Sequence, residues 1–110
     1  MNTFVIILAA GDSKRLKSTI PKPFHLVNNK TLIEHSFNTF SNFEEIKKIV
    51  VVYNKKHKKY LNKLNLKNIL KIIGGKNRQE STFKALKRIK KMNCKKVLIH
   101  DAARPNVSKQ

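Results

Sequence analysis

One cysteine, Cys94, is all that the sequence holds. A lone thiol excludes an internal disulfide and offers no metal-ligand spacing, so the reducing cytoplasm is the expected compartment and a buried structural role is expected for Cys94. Long apolar runs are missing too. The N-terminal run from Phe4 to Ala10 falls far short of the ~20 residues of a membrane helix, and it lacks the basic leader and cleavage pattern of a signal peptide. It reads as a buried strand, with no membrane as partner. Acidic residues are scarce: 6 Asp and Glu stand against 25 Lys and Arg, a formal net charge of +19. Such a balance ordinarily points to nucleic acid or an anionic surface. Three features turn the reading toward compositional bias and away from nucleic acid. Only Arg15, Arg78, Arg88 and Arg104 are arginines. The lysines are spread along the chain and not gathered on one element, and neither an aromatic stacking pattern nor a nucleic-acid motif accompanies them. No repeat or low-complexity linker divides the chain, and 110 residues suit one small domain.

What is present is a set of short, Val- and Ile-rich runs at Phe4 to Ala10, Ile49 to Tyr53, Ile69 to Ile73 and Val97 to Ile99, nearly continuous as in strands buried on both faces. Helical patterns separate them. Thr31 as N-cap with Glu34 at the capping-box position opens a helix whose apolar stripe is Leu32, Ile33, Phe37 and Phe40, ending near Asn42. Asn77 with Glu80 repeats the capping pattern ahead of a buried face of Ala85, Leu86, Ile89 and Met92. Lys55 to Leu64 is a weaker third helix, packing through Tyr60, Leu61 and Leu64. Strands alternating with helices predict a mainly parallel sheet covered by helices, with ligands bound beyond the carboxyl ends of its strands.

Three motifs fall at those ends. The first strand stops at Ala9, Ala10 and Gly11, where small residues let backbone N–H groups approach phosphate oxygens, and the loop then adds Arg15 and Lys22. GDSKRLKS lacks the second glycine of a dinucleotide fingerprint and the ending of a Walker A loop, which removes hydride transfer and ordinary ATP hydrolysis. Two cations separated by a turn suit a polyphosphate, with Pro21 holding Lys22 in an extended segment. GGKNRQES places Gly74 and Gly75 before a polar helix start, where Ser81 can bond to a base edge or a phosphate. In HDAARP, Asp101 at a strand end faces a sugar hydroxyl or Mg²⁺, and Arg104 holds a second anion. His100 reads as a packed, satisfied imidazole and not as a general base.

LAAG-x-x-x-R with PK, then GG-x-x-R-x-x-S, then VLIHDAARP resemble, in order and spacing, the signature of the 2-C-methyl-D-erythritol 4-phosphate cytidylyltransferase family. The segments PKPFHL and TLIEHSF are similar to that family as well. The resemblance covers nearly all of residues 1–110, as the nucleotide-binding N-terminal part of one cytidylyltransferase domain. It implies a Rossmann-like α/β sheet of the nucleotide-diphospho-sugar transferase type with helices on both faces, truncated in this chain. It implies transfer of a cytidylyl group from CTP to methylerythritol phosphate, a sugar-alcohol phosphate, with release of pyrophosphate, for isoprenoid biosynthesis outside the mevalonate route. The full-length form would be a cytoplasmic homodimer using Mg²⁺.

By the same resemblance Arg15 and Lys22 are the catalytic cations. Ala9, Ala10, Gly11, Gly75, Ser81, Asp101 and Ala102 surround the nucleotide, Asp101 and Arg104 approach the acceptor, and Asp101 is a candidate for the metal. Three positions depart from the family pattern: Ser13 where glycine is usual, Pro23 where glutamine is usual, and Lys76 where an acidic residue is often found. The alternatives are a ribitol 5-phosphate cytidylyltransferase and an inactive nucleotide-binding fragment of a longer enzyme. A sheet cut after its fourth strand would leave an unpaired edge and an uncovered apolar face.

Overall fold

The computed structural model describes residues 2–11 and 20–102. Four parallel strands, β1 (Thr3–Ala9), β4 (Ile46–Tyr53), β5 (Ile69–Ile73) and β6 (Lys96–Asp101), form one sheet in the order β5-β4-β1-β6. The two central strands carry the core. Along β1 every residue is buried, and alternation divides it in two: Val5, Ile7 and Ala9 face one layer, Phe4, Ile6 and Leu8 the other. Helices α1 (Leu32–Ser41) and α2 (Lys58–Asn62) cover the first layer through Ile33, Phe40 and Leu61. Helix α3 (Arg78–Ile89) covers the second through Ala85 and Ile89. The expected mainly parallel sheet with helices on both faces is therefore present.

The outer strands are less buried than their apolar runs suggest. Leu98 and Ile99 of β6 are 38% and 43% exposed, and Ile73 of β5 is 44% exposed. Both are edge strands among the described residues, so only β1 and β4 have a neighbour on each side to exclude water.

Helix α1 begins where its capping chemistry dictates. Thr31 Oγ1 accepts from the Glu34 N–H at 3.1 Å and Glu34 Oε1 accepts from the Thr31 N–H at 2.8 Å, a reciprocal box. Thr31→Ala removes one half of it and is expected to cost about 1 kcal/mol of stability, read as a lowered urea midpoint at unchanged slope. Helix α3 has only half of that device. Asn77 Oδ1 accepts from the Glu80 N–H at 2.8 Å, while the Glu80 side chain lies against Gly75.

Four further details correct the sequence reading. Leu86 is 39% exposed, because Ser81, Ala85 and Ile89 already fill the inward stripe of α3. Cys94 is half-buried and its thiol donates to the Lys96 carbonyl at 3.2 Å, so it is no core thiol. The weak third helix is a 3-10 turn, Lys55–His57, followed by the short α2. A hairpin of β2 (Leu26–Val27) and β3 (Lys30–Thr31), absent from the expected order, precedes α1. Asn28 and Asn29 form its turn with φ of 53° and 68°, the left-handed pair that a tight hairpin requires and asparagine tolerates.

Candidate functional site

The chain leaves β1 for β4 and β5 on one side, then returns through α3 to place β6 on the other side of β1. In open parallel sheets such a reversal leaves a crevice beyond the carboxyl ends of the strands. Here the crevice is a cavity of about 620 Å³. Strand β1 contributes Leu8, the residues just after it contribute Ala10 and Gly11, and β6 contributes Asp101. The turn after β5 and the start of α3 contribute Gly75, Lys76, Asn77, Arg78 and Ser81. Five residues expected from the sequence, Ala10, Gly11, Gly75, Ser81 and Asp101, thus come together.

The wall between β1 and α3 depends on two glycines. A Cβ on Gly74 would lie 2.4 Å from Ala10 Cβ and 2.8 Å from Ser81 Oγ, closer than real Cβ atoms approach. One on Gly75 would fall 2.4 Å from Glu80 Cγ. Ser81, 3% exposed, accepts from the Gly75 N–H through Oγ at 2.9 Å. The serine therefore fastens the turn. On the opposite wall the Ala102 N–H donates to the Leu8 carbonyl at 3.0 Å, which carries the β1–β6 ladder one step past Asp101.

Two lining residues, Asn54 and Lys56, were not singled out in the sequence. Asn54 Nδ2 donates to the Ala10 carbonyl at 3.3 Å, and its Oδ1 accepts from the Lys56 N–H at 2.9 Å, so it links the ends of β1 and β4. Its signal was available: Asn54 directly follows the second parallel strand, at the end where ligands bind. Lys56, Lys76 and Arg78 set three cations against the single carboxylate of Asp101, and the N-terminus of α3 borders the cavity. The balance favours an anion.

Other expected site residues lie elsewhere. Arg15 and Arg104 fall outside the described residues. Ala9 and Ala102, 2% and 0% exposed, belong to the core cluster on the α1 side, and neither lines the cavity. Lys22 is exposed and likewise not part of the lining. Nor is it extended. It opens a 3-10 turn, Lys22–Phe24, in which the Phe24 N–H donates to the Pro21 carbonyl at 2.9 Å. The turn exists because it buries Pro23 and Phe24, with the Phe24 ring 5.4 Å from that of Tyr60. His100 is the packed imidazole expected, 7% exposed, with Nε2 3.0 Å from Ser36 Oγ and its ring against Phe40.

Fold and cavity together define an α/β protein with a cation-rich cavity at the reversal point of a parallel sheet. Comparison with known sequences sharpens this: residues 3–110 match the family described as IspD, 2-C-methyl-D-erythritol 4-phosphate cytidylyltransferase, and the chain belongs to that family. It is 54% identical over 108 residues to the bifunctional enzyme IspD/IspF of Pelagibacter ubique, covering 98% of this chain and 29% of that protein. It is 43% identical over 107 residues to the 2-C-methyl-D-erythritol 4-phosphate cytidylyltransferase of Wigglesworthia glossinidia brevipalpis, covering 96% and 46%. Among solved structures, bifunctional IspDF from Campylobacter jejuni superposes with a TM-score of 0.81 at 36% identity, covering 99% of this chain and 28% of that one. The chain thus spans less than half the length of these relatives. Among the described residues no helix is long and apolar enough to cross a membrane.

Proposed function

We propose that this chain supplies the nucleotide-binding half of an enzyme that transfers the cytidylyl group of CTP to 2-C-methyl-D-erythritol 4-phosphate and releases pyrophosphate. The observation that carries the reading is the cavity at the sheet reversal, lined by Ala10, Gly11, Gly75, Ser81 and Asp101 in a chain of this family. The family match favours methylerythritol phosphate over ribitol 5-phosphate as acceptor.

The reaction asks little of protein bases. An acceptor phosphate oxygen, already deprotonated, attacks the α-phosphorus and forms a new P–O bond. The bond from the α-phosphorus to the oxygen bridging to the β-phosphorus breaks, and pyrophosphate leaves with that electron pair. Catalysis then consists of holding anions together and neutralising charge as it moves to the leaving group. In this reading Gly11 and the α3 N-terminus receive phosphate oxygens through backbone N–H groups, while Gly75 and Ser81 border the nucleoside. The family resemblance adds Arg15 and Lys22, which lie outside the described lining, as stabilisers of the α-phosphate and the leaving pyrophosphate, and Arg104 as the holder of the acceptor.

Magnesium fits the donor set. No group of three or more acidic, histidine or cysteine side chains comes together among the described residues, but one carboxylate, Asp101, lines the cavity. Mg²⁺ is commonly held by one or two carboxylates together with substrate phosphates. Asp101 would be its protein ligand, and the ion would supply positive charge to offset that of the phosphates. We further propose a cytoplasmic setting and a homodimer for the longer form.

Pyrophosphate release tests the reading. With CTP and Mg²⁺, turnover by the longer enzyme that carries this half is expected with methylerythritol phosphate, and little with ribitol 5-phosphate or with ATP as donor. Equal turnover with either acceptor would refute the assignment of the substrate.

A further inference from the structure

A second cavity, of about 510 Å³, lies between the outer edge of β5 and helix α3 and shares no lining residue with the first. Five cations border it: Lys84, Lys87, Arg88 and Lys91 from the helix and the residues just after it, and Lys71 from the strand. No Asp or Glu is among its lining residues. In sequence these lysines looked dispersed. Folding collects them, because positions 84, 87, 88 and 91 fall on one stripe of a helix.

Such a stripe is unfavourable by itself, since like charges one turn apart repel by roughly 0.2–0.5 kcal/mol per pair. The helix dipole offsets part of this for Lys87 and Arg88 in the last turn. It does nothing for Lys71, whose Nζ donates to Asn62 Oδ1 at 3.3 Å across the edge of the sheet. The groove wraps that edge. Ile72 belongs to the cluster under α3, while Lys71 and Ile73 alternate to the other face, and Ile73 is 44% exposed. Among the described residues β5 pairs only with β4, so its outer N–H and C=O groups have no strand partner.

We infer that the β5–α3 groove docks an acidic, extended peptide segment of a partner protein, which adds to the sheet beside β5 and sets alternate carboxylates against the cationic stripe. Two independent features meet here: an open strand edge that supplies main-chain hydrogen bonds, and a row of cations that reads side-chain charge. The dimensions agree. Three acidic residues at alternate positions of a strand span about 13 Å, against about 10.5 Å of helix rise from Lys84 to Lys91, and flexible lysine stems absorb the difference. Exposed Ile73 gives an intervening apolar side chain a contact. A nucleic acid fits less well: Tyr53, the one aromatic in the lining, is 6% exposed and offers no face for a base to stack on.

The test uses the whole chain, a labelled ten-residue peptide alternating Glu and Val, the same peptide with central prolines, and oligo(U) of equal charge. Fluorescence anisotropy at low and moderate salt gives affinity, and amide hydrogen exchange reports on residues 69–73. The alternating peptide is expected to bind and to slow exchange of β5 amides, and the proline peptide to bind weakly. The double variant Lys87→Glu, Lys91→Glu is expected to lower affinity about tenfold or more. Because the double variant changes only exposed positions, its circular dichroism should match that of the parent chain. Binding without β5 protection, equal binding of the proline peptide, tighter binding of oligo(U), or no binding at all would overturn the inference.

Discussion

Replacing Arg15 with alanine in the longer enzyme proposed above is expected to slow pyrophosphate release by about 100-fold or more while leaving the fold intact, the range seen when one oriented donor to a transition-state anion is removed. Arg15 lies four residues after Gly11 in the sequence, and Gly11 borders the cavity at the reversal of the sheet. In the proposed reaction charge on the leaving pyrophosphate builds as the bond to the α-phosphorus breaks, so a cation held there would act more on the transition state than on bound CTP. The loss should therefore fall mainly on kcat. Arg15→Lys should recover only part of it, because an ammonium keeps the charge and loses the planar, two-pronged donor geometry. A fall confined to KM, or full recovery by lysine, would reduce Arg15 to a general attractor of anions.

The second large effect is on stability. Gly74→Val would force side-chain atoms into space already held by Ala10 Cβ, Ser81 Oγ and Val52 Cγ1, none of which is the far end of a long flexible side chain. Overpacking of this kind costs about 1–3 kcal/mol, sometimes more, and for a domain of this size each kcal/mol lowers Tm by roughly 4–8 °C. The same substitution pushes apart the two walls of the cavity, so binding of CTP should weaken along with stability. Gly11→Ala supplies the contrast. Among the described residues nothing lies within 4 Å of a Cβ placed there, and no glycine has positive φ. Its Tm should stay close to that of the parent chain. A similar loss at both positions would show that the packing around Gly74 is not what fixes the turn.

The layers of the fold were legible because each core run carries its own period. Val5, Ile7 and Ala9 alternate with Phe4, Ile6 and Leu8, and Thr31 and Asn77 begin helices where their side chains meet orphan N–H groups. Edges were not legible, because a strand rich in Ile and Val looks the same whether or not a neighbour covers it. Leu98 and Ile99 of β6 are the example. The hairpin at Asn28 and Asn29 was missed because its strands are two residues long, too short for a period, although the asparagine pair was a readable turn signal.

At the cavity, small residues after strands pointed to Ala10, Gly11, Gly75 and Ser81. Asn54 and Lys56 escaped because a polar residue after a strand is unremarkable until the strand order puts it beside β1. Ala9 and Ala102 lie one alternation away from lining residues, and only the pairing of β1 with its neighbours says which face each takes. Gathering of Lys71 with Lys84, Lys87, Arg88 and Lys91 is a property of the crossover and not of any local stretch.

The most direct test of the central claim is a titration of the chain with CTP and Mg²⁺ followed through backbone amide NMR signals, with ATP as the comparison. The account predicts saturable binding selective for CTP, with the largest shifts at Gly11, Gly75, Ser81 and Asp101 and little change along β5. A folded chain that binds neither nucleotide, or binds both equally with shifts away from those four residues, would contradict it.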